Sequence, residues 1–271
     1  MTVNGNPMKE DNSTIMQKIN RKAIFIDIDG TLSENGALPS DYTIKILHEA
    51  QKQGHLIFLN TGRSVAFIPK ELREADYVDG IVAGGGAHVL FHGKTIHHKV
   101  IPEDQLCAIS ELYLRLGKWC QFEGEVDNYR IIDNGQMKVV NSPDDFRTIY
   151  KGALITKITM EGVVSEEERE LLHKWFYIYK LNGYSEGITR GESKTGGIKC
   201  LLEASGIPWE DTVAIGDSEN DIEMIMNVAF GIAMKNAVPE LKQIAKAVTD
   251  DCAHDGVGKA IEQYILIGAL S

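Results

Sequence analysis

Residues 23–31 read Ala-Ile-Phe-Ile-Asp-Ile-Asp-Gly-Thr, and this stretch decides the fold class. The apolar run 23–26 is typical of a short strand buried in a parallel sheet. Two carboxylates follow, Asp27 and Asp29, and alternation along a strand would place them on one face, roughly 6–7 Å apart. Like charges at a buried strand end repel each other and resist desolvation, so fold stability does not explain the pair.

Two interpretations of this acidic pair follow from the residues alone. A bound cation would offset the repulsion and the desolvation, and one carboxylate could then act as a nucleophile. Alternatively, the pair lies in a solvated acidic loop with a turn at Asp29-Gly30. The other motifs of the chain favour the first interpretation.

Composition excludes several classes of protein. The 271 residues carry a formal net charge of −11, which argues against nucleic acid or an anionic membrane as the main partner. No apolar run approaches the roughly 20 residues that cross a membrane. Four widely spaced cysteines form neither a zinc pattern nor a disulfide framework, which favours a reducing cytoplasm. Oligomeric state stays open.

The order of apolar runs predicts an α/β fold made of two units. Short buried strands alternate with helices in the first and last thirds of the chain, which indicates a Rossmann-like parallel-sheet core. After Gly84-Gly85-Gly86 the pattern changes to hairpins and mixed elements, which indicates an inserted α+β cap domain. The predicted limits are a flexible tail at 1–21, the core at 22–84 and 189–271, and the cap at 85–188.

Particular elements are predicted from periodicity and capping residues. Helices are expected over 64–73, 103–116 and 165–177, and Ser165 with Glu168 would form a capping box at the start of the third. Several histidines cluster in a predicted hairpin and suggest a metal site. Because no Cys or Glu stands near them at the spacing of metal ligands, we expect them to be surface histidines. These are His88, His92, His97 and His98.

Three further clusters follow predicted strands or begin predicted helices. Ligand sites of open parallel sheets form at the carboxyl ends of the strands. The hydroxyl of Thr61 and the free amide of Gly62 suit a phosphate, although Thr61 or Ser64 would also cap the next helix. Lys194 in a first helical turn opposes the helix dipole, so a role for its charge would explain it, although a solvated surface lysine is the simpler alternative.

The last cluster is Gly216-Asp-Ser-Glu-Asn-Asp221. Oxygen-rich side chains of this kind suit Mg²⁺. A capping box from Ser218 to Asp221 would explain Asp221 without a metal, but it leaves Asp217 unexplained. Together, the four clusters point to one site more specifically than any of them does alone.

The four clusters in this order resemble the motifs of the haloacid dehalogenase superfamily, and most closely its Cof-type, sugar-phosphatase-like branch with an inserted C2-type cap. The resemblance covers about residues 22–265 and also includes Met234-Lys-Asn-Ala237 and Asp255-Gly-Val257. One departure is visible, because the chain has Gly85-Gly86-Ala87 where the family often has Asn-Gly-Ala. A substrate contact by that Asn is therefore not carried over.

The resemblance implies a two-step phosphoryl transfer that the residue chemistry allows. Asp27 would be the nucleophile and Asp29 the general acid and base. Mg²⁺ would be held by Asp27, the Asp29 carbonyl and Asp217, with Asp221 as a direct ligand or as support for the others. The remaining expected contacts are Thr61, Gly62, Lys194 and Asn220 to the phosphate, Lys194 also acting in catalysis, and Thr31 bracing the loop.

The expected activity is therefore hydrolysis of a small phosphorylated metabolite by a Mg²⁺-dependent phosphatase. The alternatives are a phosphomutase or phosphotransferase acting on sugar phosphates, and a non-catalytic module that binds phosphate or metal. The cap would close over the site and select the leaving group. Candidate cap contacts are Glu123, Asp127 and Arg130, for which a solvated polar loop is the alternative.

Overall fold

The structure is a computed structural model that describes residues 21–34, 36–181 and 183–267. The predicted flexible tail lies outside the described residues except for Arg21. Fourteen strands are described: Ala23–Ile26 (β1), Leu56–Asn60 (β2), Gly80–Ala83 (β3), His88–Phe91 (β4), Lys94–His98 (β5), Cys120–Gly124 (β6), Asn128–Arg130 (β7), Lys138–Val139 (β8), Ile155–Glu161 (β9), Phe176–Lys180 (β10), Tyr184–Thr189 (β11), Thr212–Gly216 (β12), Phe230–Ala233 (β13) and Ala247–Val248 (β14).

Eight α-helices are described between these strands. They are Asp41–Lys52 (α1), Lys70–Arg73 (α2), Glu103–Leu116 (α3), Glu166–Leu172 (α4), Lys194–Ser205 (α5), Ile222–Asn227 (α6), Pro239–Ile244 (α7) and Gly256–Ile261 (α8). The longer ones begin and end as their sequences predict. Ser40 caps α1, Gly117 ends α3 with a left-handed conformation, and Ser193 caps α5.

The larger sheet has eight strands in the order β14-β13-β12-β1-β2-β3-β4-β5. Its six strands from β14 to β3 run parallel, and β4 and β5 extend it as an antiparallel hairpin. Strand β1 lies near the middle and is fully buried, as its uninterrupted apolar sequence requires. The carboxyl ends of β1, β2 and β12 therefore meet at one edge, which is where the predicted site residues follow.

The second sheet has six strands in the order β10-β11-β9-β6-β7-β8 and is mostly antiparallel. It has a hydrophobic core of its own, built from α3, α4 and the sheet. The fold is thus a Rossmann-like α/β core with an inserted α+β cap. The hairpin of β4 and β5, which the sequence placed beyond residue 84 with the cap, is hydrogen-bonded to β3 in the larger sheet. The predicted limits between the units stay a prediction.

Two predicted helices differ from the structure. The helix expected over 64–73 is divided into a 3₁₀ turn at Val65–Phe67 and the short α2. Pro69 is the reason, because the residue before a proline avoids the helical conformation and Ile68 is extended. The helix expected over 165–177 ends at Leu172, because its aromatic end, Phe176 and Tyr177, belongs to β10.

The capping box of Ser165 and Glu168 is present, with both of its hydrogen bonds. Within the described ranges, the structure contains no helix that has both the length and the apolar character needed to span a membrane.

Candidate active site

A buried ion triad lies below the carboxyl edge of the larger sheet. The Nζ atom of Lys194 donates to Oδ1 of Asp27 at 2.7 Å and to Oδ1 of Asp221 at 2.6 Å. All three side chains are at most 5% exposed. Burial opposes the charge of Lys194, but the two carboxylates outweigh burial and hold its pKa above the usual range. Lys194 is therefore a cation inside the protein, and not a solvated surface lysine.

The position of Lys194 follows from local structure. Ser193 accepts a hydrogen bond from the Gly196 amide at 3.1 Å and so fixes the start of α5. The first residue of the helix, Lys194, then points into the carboxylates that follow β1 and β12. Its Nζ atom also donates to Oδ1 of Asn220 at 3.1 Å.

The Asp27 carboxyl group is buried beside two other carboxylates and one lysine. Burial raises its pKa well above the usual range, Lys194 lowers it in part, and the nearby Asp221 and Asp217 raise it further. Its backbone amide continues the sheet ladder by donating to the Ile215 carbonyl at 3.0 Å. The backbone of Asp27 is thus fixed at the end of the central strand.

Asp27, Asp217 and Asp221 form a group that could hold a metal ion, with one ligand atom of each within 4.8 Å of the others. The oxygens of Asp221 are already engaged, Oδ1 by Lys194 and Oδ2 by the amides of Asp217 and Ser218 at 3.0 and 3.1 Å. Asp221 therefore supports the loop and the lysine.

The free ligand atoms belong to Asp27 and Asp217. Among the described residues, the Oδ2 atom of each carboxylate and the carbonyl of Asp29 accept no hydrogen bond. Thr31 donates to Oδ1 of Asp217 at 2.7 Å, which braces that side chain. A Cβ atom on Gly30 would lie 2.5 Å from Oδ2 of Asp217, so glycine makes the space for this oxygen. These oxygen donors fit a hard divalent cation such as Mg²⁺.

The charge of Asp217 also depends on this group. Burial raises the pKa of Asp217 to about 6, and the Thr31 hydroxyl opposes the shift. A cation would offset the crowding of negative charge.

Asp29 does not share a strand face with Asp27 in the structure. Strand β1 ends at Ile26, and the chain then turns through Gly30, whose φ is +79°. The Asp29 carboxylate is half exposed and forms a bidentate ion pair with Arg63, in which Nε donates to Oδ2 at 2.7 Å. Arg63 is a site residue that the sequence analysis did not single out, although it stands in the motif that follows β2.

The turn after β2 presents the expected polar groups. The Thr61 amide donates to the Val82 carbonyl at 2.8 Å, and its hydroxyl accepts from the Arg63 amide at 3.1 Å. Within the described part of the chain, the Gly62 amide has no acceptor. Thr61, Gly62 and Asn220 line the same cavity as Asp27 and Asp29. Five of the predicted site residues thus line one cavity, and the other three, Lys194, Asp217 and Asp221, do not line it but lie close to Asp27.

This cavity has a volume of about 620 Å³ and lies between the two sheets. Its size suits a small molecule. The larger sheet supplies the floor. The second sheet and its loops supply the roof, which consists of Trp119, Gln121, Glu123, Lys157, Thr159, Leu181, Tyr184 and Glu186.

Only one of the three candidate cap contacts lines the cavity. Glu123 does, and it is buried. Asp127 forms an exposed ion pair with Lys138, and Arg130 lies over the Trp119 ring, 4.1 Å from its centroid. Lys157 and Glu186 were missed, because a lone charge inside a strand has no motif that would distinguish it.

The expectation of surface histidines is wrong for His88. Its side chain is 1% exposed, and burial lowers its pKa to about 4. His88 and His98 stack with their ring centroids 4.0 Å apart and an angle of 13° between the rings. Ligand atoms of these two and Glu125 lie within 4.8 Å, but nearly parallel rings do not direct their lone pairs at one point.

Comparison with known proteins agrees with this geometry. A family model described as haloacid dehalogenase-like hydrolase matches residues 24–261. A Bacillus subtilis protein named "Putative phosphatase YkrA" is 30% identical over 91% of this chain and 98% of its own length. Phosphoglycolate phosphatase 1 of Saccharolobus solfataricus is 28% identical over 90% of this chain and 96% of its own.

A solved structure agrees as well. The HAD subclass IIB sugar phosphatase BT4131 is 27% identical, with a TM-score of 0.75 over 90% of this chain and 98% of that one. The family match spans both the core and the inserted cap, and the relatives match over nearly their whole length. The chain therefore belongs to the haloacid dehalogenase-like hydrolases, as a phosphatase of the Cof type.

Proposed function

We propose that the chain is a Mg²⁺-dependent phosphatase that hydrolyses a small-molecule phosphate monoester, such as a sugar phosphate, through an aspartyl-phosphate at Asp27. The observation that carries this proposal is the state of Asp27. Lys194 holds one of its carboxylate oxygens, the other accepts no hydrogen bond from the described residues, and Asp27 is one of the residues that line the cavity. A fixed carboxylate with one free oxygen suits in-line attack on a phosphorus.

The other residues have separate roles in this proposal. The Thr61 hydroxyl, the Gly62 amide and Asn220 bind phosphate oxygens, and Lys194 offsets charge on the phosphoryl group. The Asp27 carboxylate, Oδ2 of Asp217 and the Asp29 carbonyl would hold Mg²⁺, and the oxygen of Asp27 that does not bind the metal would attack the phosphorus. When bound, Mg²⁺ neutralises charge on the phosphoryl oxygens.

Asp29 is proposed to move the proton. In its protonated form it would give its own proton to the leaving oxygen, and it would later regain a proton from the attacking water. Because Arg63 holds both of its carboxylate oxygens, Asp29 has to rotate away from this pair to reach the leaving oxygen. Arg63 would then be a positioning residue that holds the Asp29 side chain beside the cavity until it rotates.

A phosphate-release assay with the Asp27→Asn variant tests the proposal. Asparagine keeps the volume and the acceptor for Lys194 but cannot form the acyl phosphate, so we expect turnover to fall by at least about 10³-fold. Asp41→Asn, at an exposed site on α1, is the matched control and should keep its activity. Circular dichroism and thermal melting show whether each variant is folded.

Two results would contradict the proposal. Near-normal turnover by folded Asp27→Asn would show that Asp27 is not the nucleophile. Full activity after exhaustive chelation, with no increase on addition of Mg²⁺, would show that the reaction does not need the metal. Measuring free phosphate rather than substrate loss also separates hydrolysis from the transfer of phosphate to a sugar.

A further inference from the structure

The roof of the cavity contains a buried array of three charges, Glu123 on β6, Lys157 on β9 and Glu186 on β11. The Nζ atom of Lys157 donates to Oε1 of Glu186 and lies 3.9 Å from Oε2 of Glu123. The three side chains are only 5%, 3% and 15% exposed, in chain order. Thr159 donates to Oε1 of Glu123 and holds that carboxylate in place. We name these three residues the roof array.

Stability of the cap does not explain the roof array. A buried ion pair rarely stabilises a fold more than apolar residues of similar volume would. Elsewhere the cap is held together by an apolar core. Burial opposes the charge on Lys157, but the two carboxylates outweigh it and raise its pKa. Three charged residues are therefore kept on the cavity side of the sheet, where a ligand would meet them.

The roof array also reaches the phosphate-binding turn of the core. A Cβ atom on Gly62 would lie 3.7 Å from Oε2 of Glu186 and 4.0 Å from Nζ of Lys157. A phosphate held at the Gly62 amide would therefore place its ester group beside these two side chains. This is the part of the cavity that a leaving group has to occupy.

The charges around the cavity are unequal. Its lining holds four carboxylates, Asp27, Asp29, Glu123 and Glu186, and two cations. Both cations already have carboxylate partners, since Arg63 pairs with Asp29 and Lys157 with the two glutamates. As long as Asp29 stays paired with Arg63, an anionic leaving group would thus find no free cation among the described residues that line the cavity, and it would face an array with a formal net charge of −1.

We propose that the roof array selects the leaving group, accepting a neutral polyhydroxylated group and rejecting one that carries a carboxylate. Hydroxyl groups can donate to the glutamate oxygens and accept from the Lys157 ammonium. A second anion beside the two glutamates is repelled, as like charges are at other recognition sites. The inference rests on the proposed function, because it concerns the substrate of that same site. It separates this chain from relatives named as phosphoglycolate phosphatases.

A matched pair of substrates tests this inference. Glycerol 1-phosphate and 3-phosphoglycerate share a three-carbon chain and differ in a hydroxymethyl group against a carboxylate. We expect the unmodified protein to have a kcat/KM at least about tenfold higher for glycerol 1-phosphate, because juxtaposed like charges are costly. Glu186→Gln makes the roof array neutral at almost constant volume, and should reduce this preference about tenfold, mainly by improving 3-phosphoglycerate.

The control variant is Glu170→Gln, which removes the same charge from an exposed position on the cap helix α4, away from the cavity. It should leave the preference unchanged. Glu123→Gln makes the same change of charge in the roof array and replaces Glu186→Gln if that variant does not fold. A preference for 3-phosphoglycerate in the unmodified protein, or glutamine variants that behave like the control, would overturn the inference.

A third substrate separates this result from failure of the proposed function. p-Nitrophenyl phosphate has a good leaving group that needs no hydroxyl recognition. If p-nitrophenyl phosphate is hydrolysed but neither substrate of the matched pair is preferred, the inference about the roof array is wrong and the proposed function stands. No hydrolysis of any of the three substrates by folded, Mg²⁺-loaded protein defeats both proposals.

Discussion

Lys194 balances two buried carboxylates, and this explains why a lysine begins α5 in spite of the helix dipole. Asp27 and Asp221 both contact its ammonium group at hydrogen-bond distance. A buried charge without its partner is far more costly than the pair. At this scale, one side chain serves both the stability of the fold and the charge of the proposed nucleophile.

We expect Lys194→Met to destabilise the metal-free protein by about 3–5 kcal/mol, because it leaves Asp27 and Asp221 buried without a cation. Chemical denaturation monitored by circular dichroism measures the free energy of unfolding. Lys199→Met, on the exposed side of the same helix, is the control and should change it by less than about 0.5 kcal/mol. Equal unfolding midpoints for the two variants would show that the charge of Lys194 does not stabilise the fold.

Residues at strand ends could be predicted from sequence because position and chemistry coincide there. Asp27, Thr61 and Asp217 each follow a short apolar strand, and parallel strands bring such ends together. The pairing of Asp29 with Arg63 was not predicted, because it depends on how the chain turns at Gly30. The conformation of this turn determines the direction in which the Asp29 side chain points, and that conformation cannot be read from the spacing D-x-D.

Helix α5 packs close to the larger sheet because Gly197 has no side chain. A Cβ atom on Gly197 would lie 2.3 Å from Cγ1 of Val82 on β3, so the helix axis approaches the strand as closely as glycine allows. The same helix carries Lys194 at its first residue. The close approach of α5 and β3 therefore determines how far Lys194 reaches towards Asp27.

Adjacent glycines in this helix give opposite predictions. Gly197→Ala should destabilise the protein by about 1–3 kcal/mol, because the added methyl group overpacks Val82. Gly196→Ala should stabilise it by up to about 1 kcal/mol through helix propensity, since its nearest contact would be Ser193 Oγ at 3.6 Å. Thermal melting of both variants checks the signs. Stabilisation by both would mean that α5 shifts freely on the sheet.

The elements that the sequence predicted best have local signals at both ends. Helix α3 occupies Glu103–Leu116 as expected, with an apolar face and a glycine after its last turn. Strand β10 was missed, because Phe176–Lys180 continues the apolar pattern of the preceding helix. Its pairing with β11 determines its structure, and pairing partners cannot be read from one segment.

At the level of the whole molecule, the site is formed by two sheets that are distant in sequence. The floor consists of motifs at strand ends and could be predicted. The roof array comes from β6, β9 and β11, and its residues acquire their relation only when the second sheet covers the first. The catalytic chemistry is therefore more visible in the sequence than the choice of substrate.

Metal binding and folding should depend on pH through the carboxyl groups between these elements. The pKa of Asp217 is raised to about 6 in the folded, metal-free protein, mainly by burial. Its unfolded value is the ordinary one near 3.9. Between these values the folded state binds a proton that the unfolded state does not, so this group stabilises the metal-free protein as pH falls from about 6 to about 4. The raised pKa of Asp27 acts in the same direction.

Bound at the proposed site, Mg²⁺ would reverse this dependence, because its ligands have to lose their protons. We expect the increase in melting temperature caused by a fixed Mg²⁺ concentration to be large at pH 7.5 and to decline steeply below pH about 6. Asp217→Asn should lose most of this increase at pH 7.5 while becoming more stable than the original protein without metal, since it removes a carboxylate from a crowded, buried group. An Mg²⁺ effect of equal size at pH 5 and pH 7.5, or one that survives in Asp217→Asn, would place the cation elsewhere, because the proposed ligands bind it only when they are ionised.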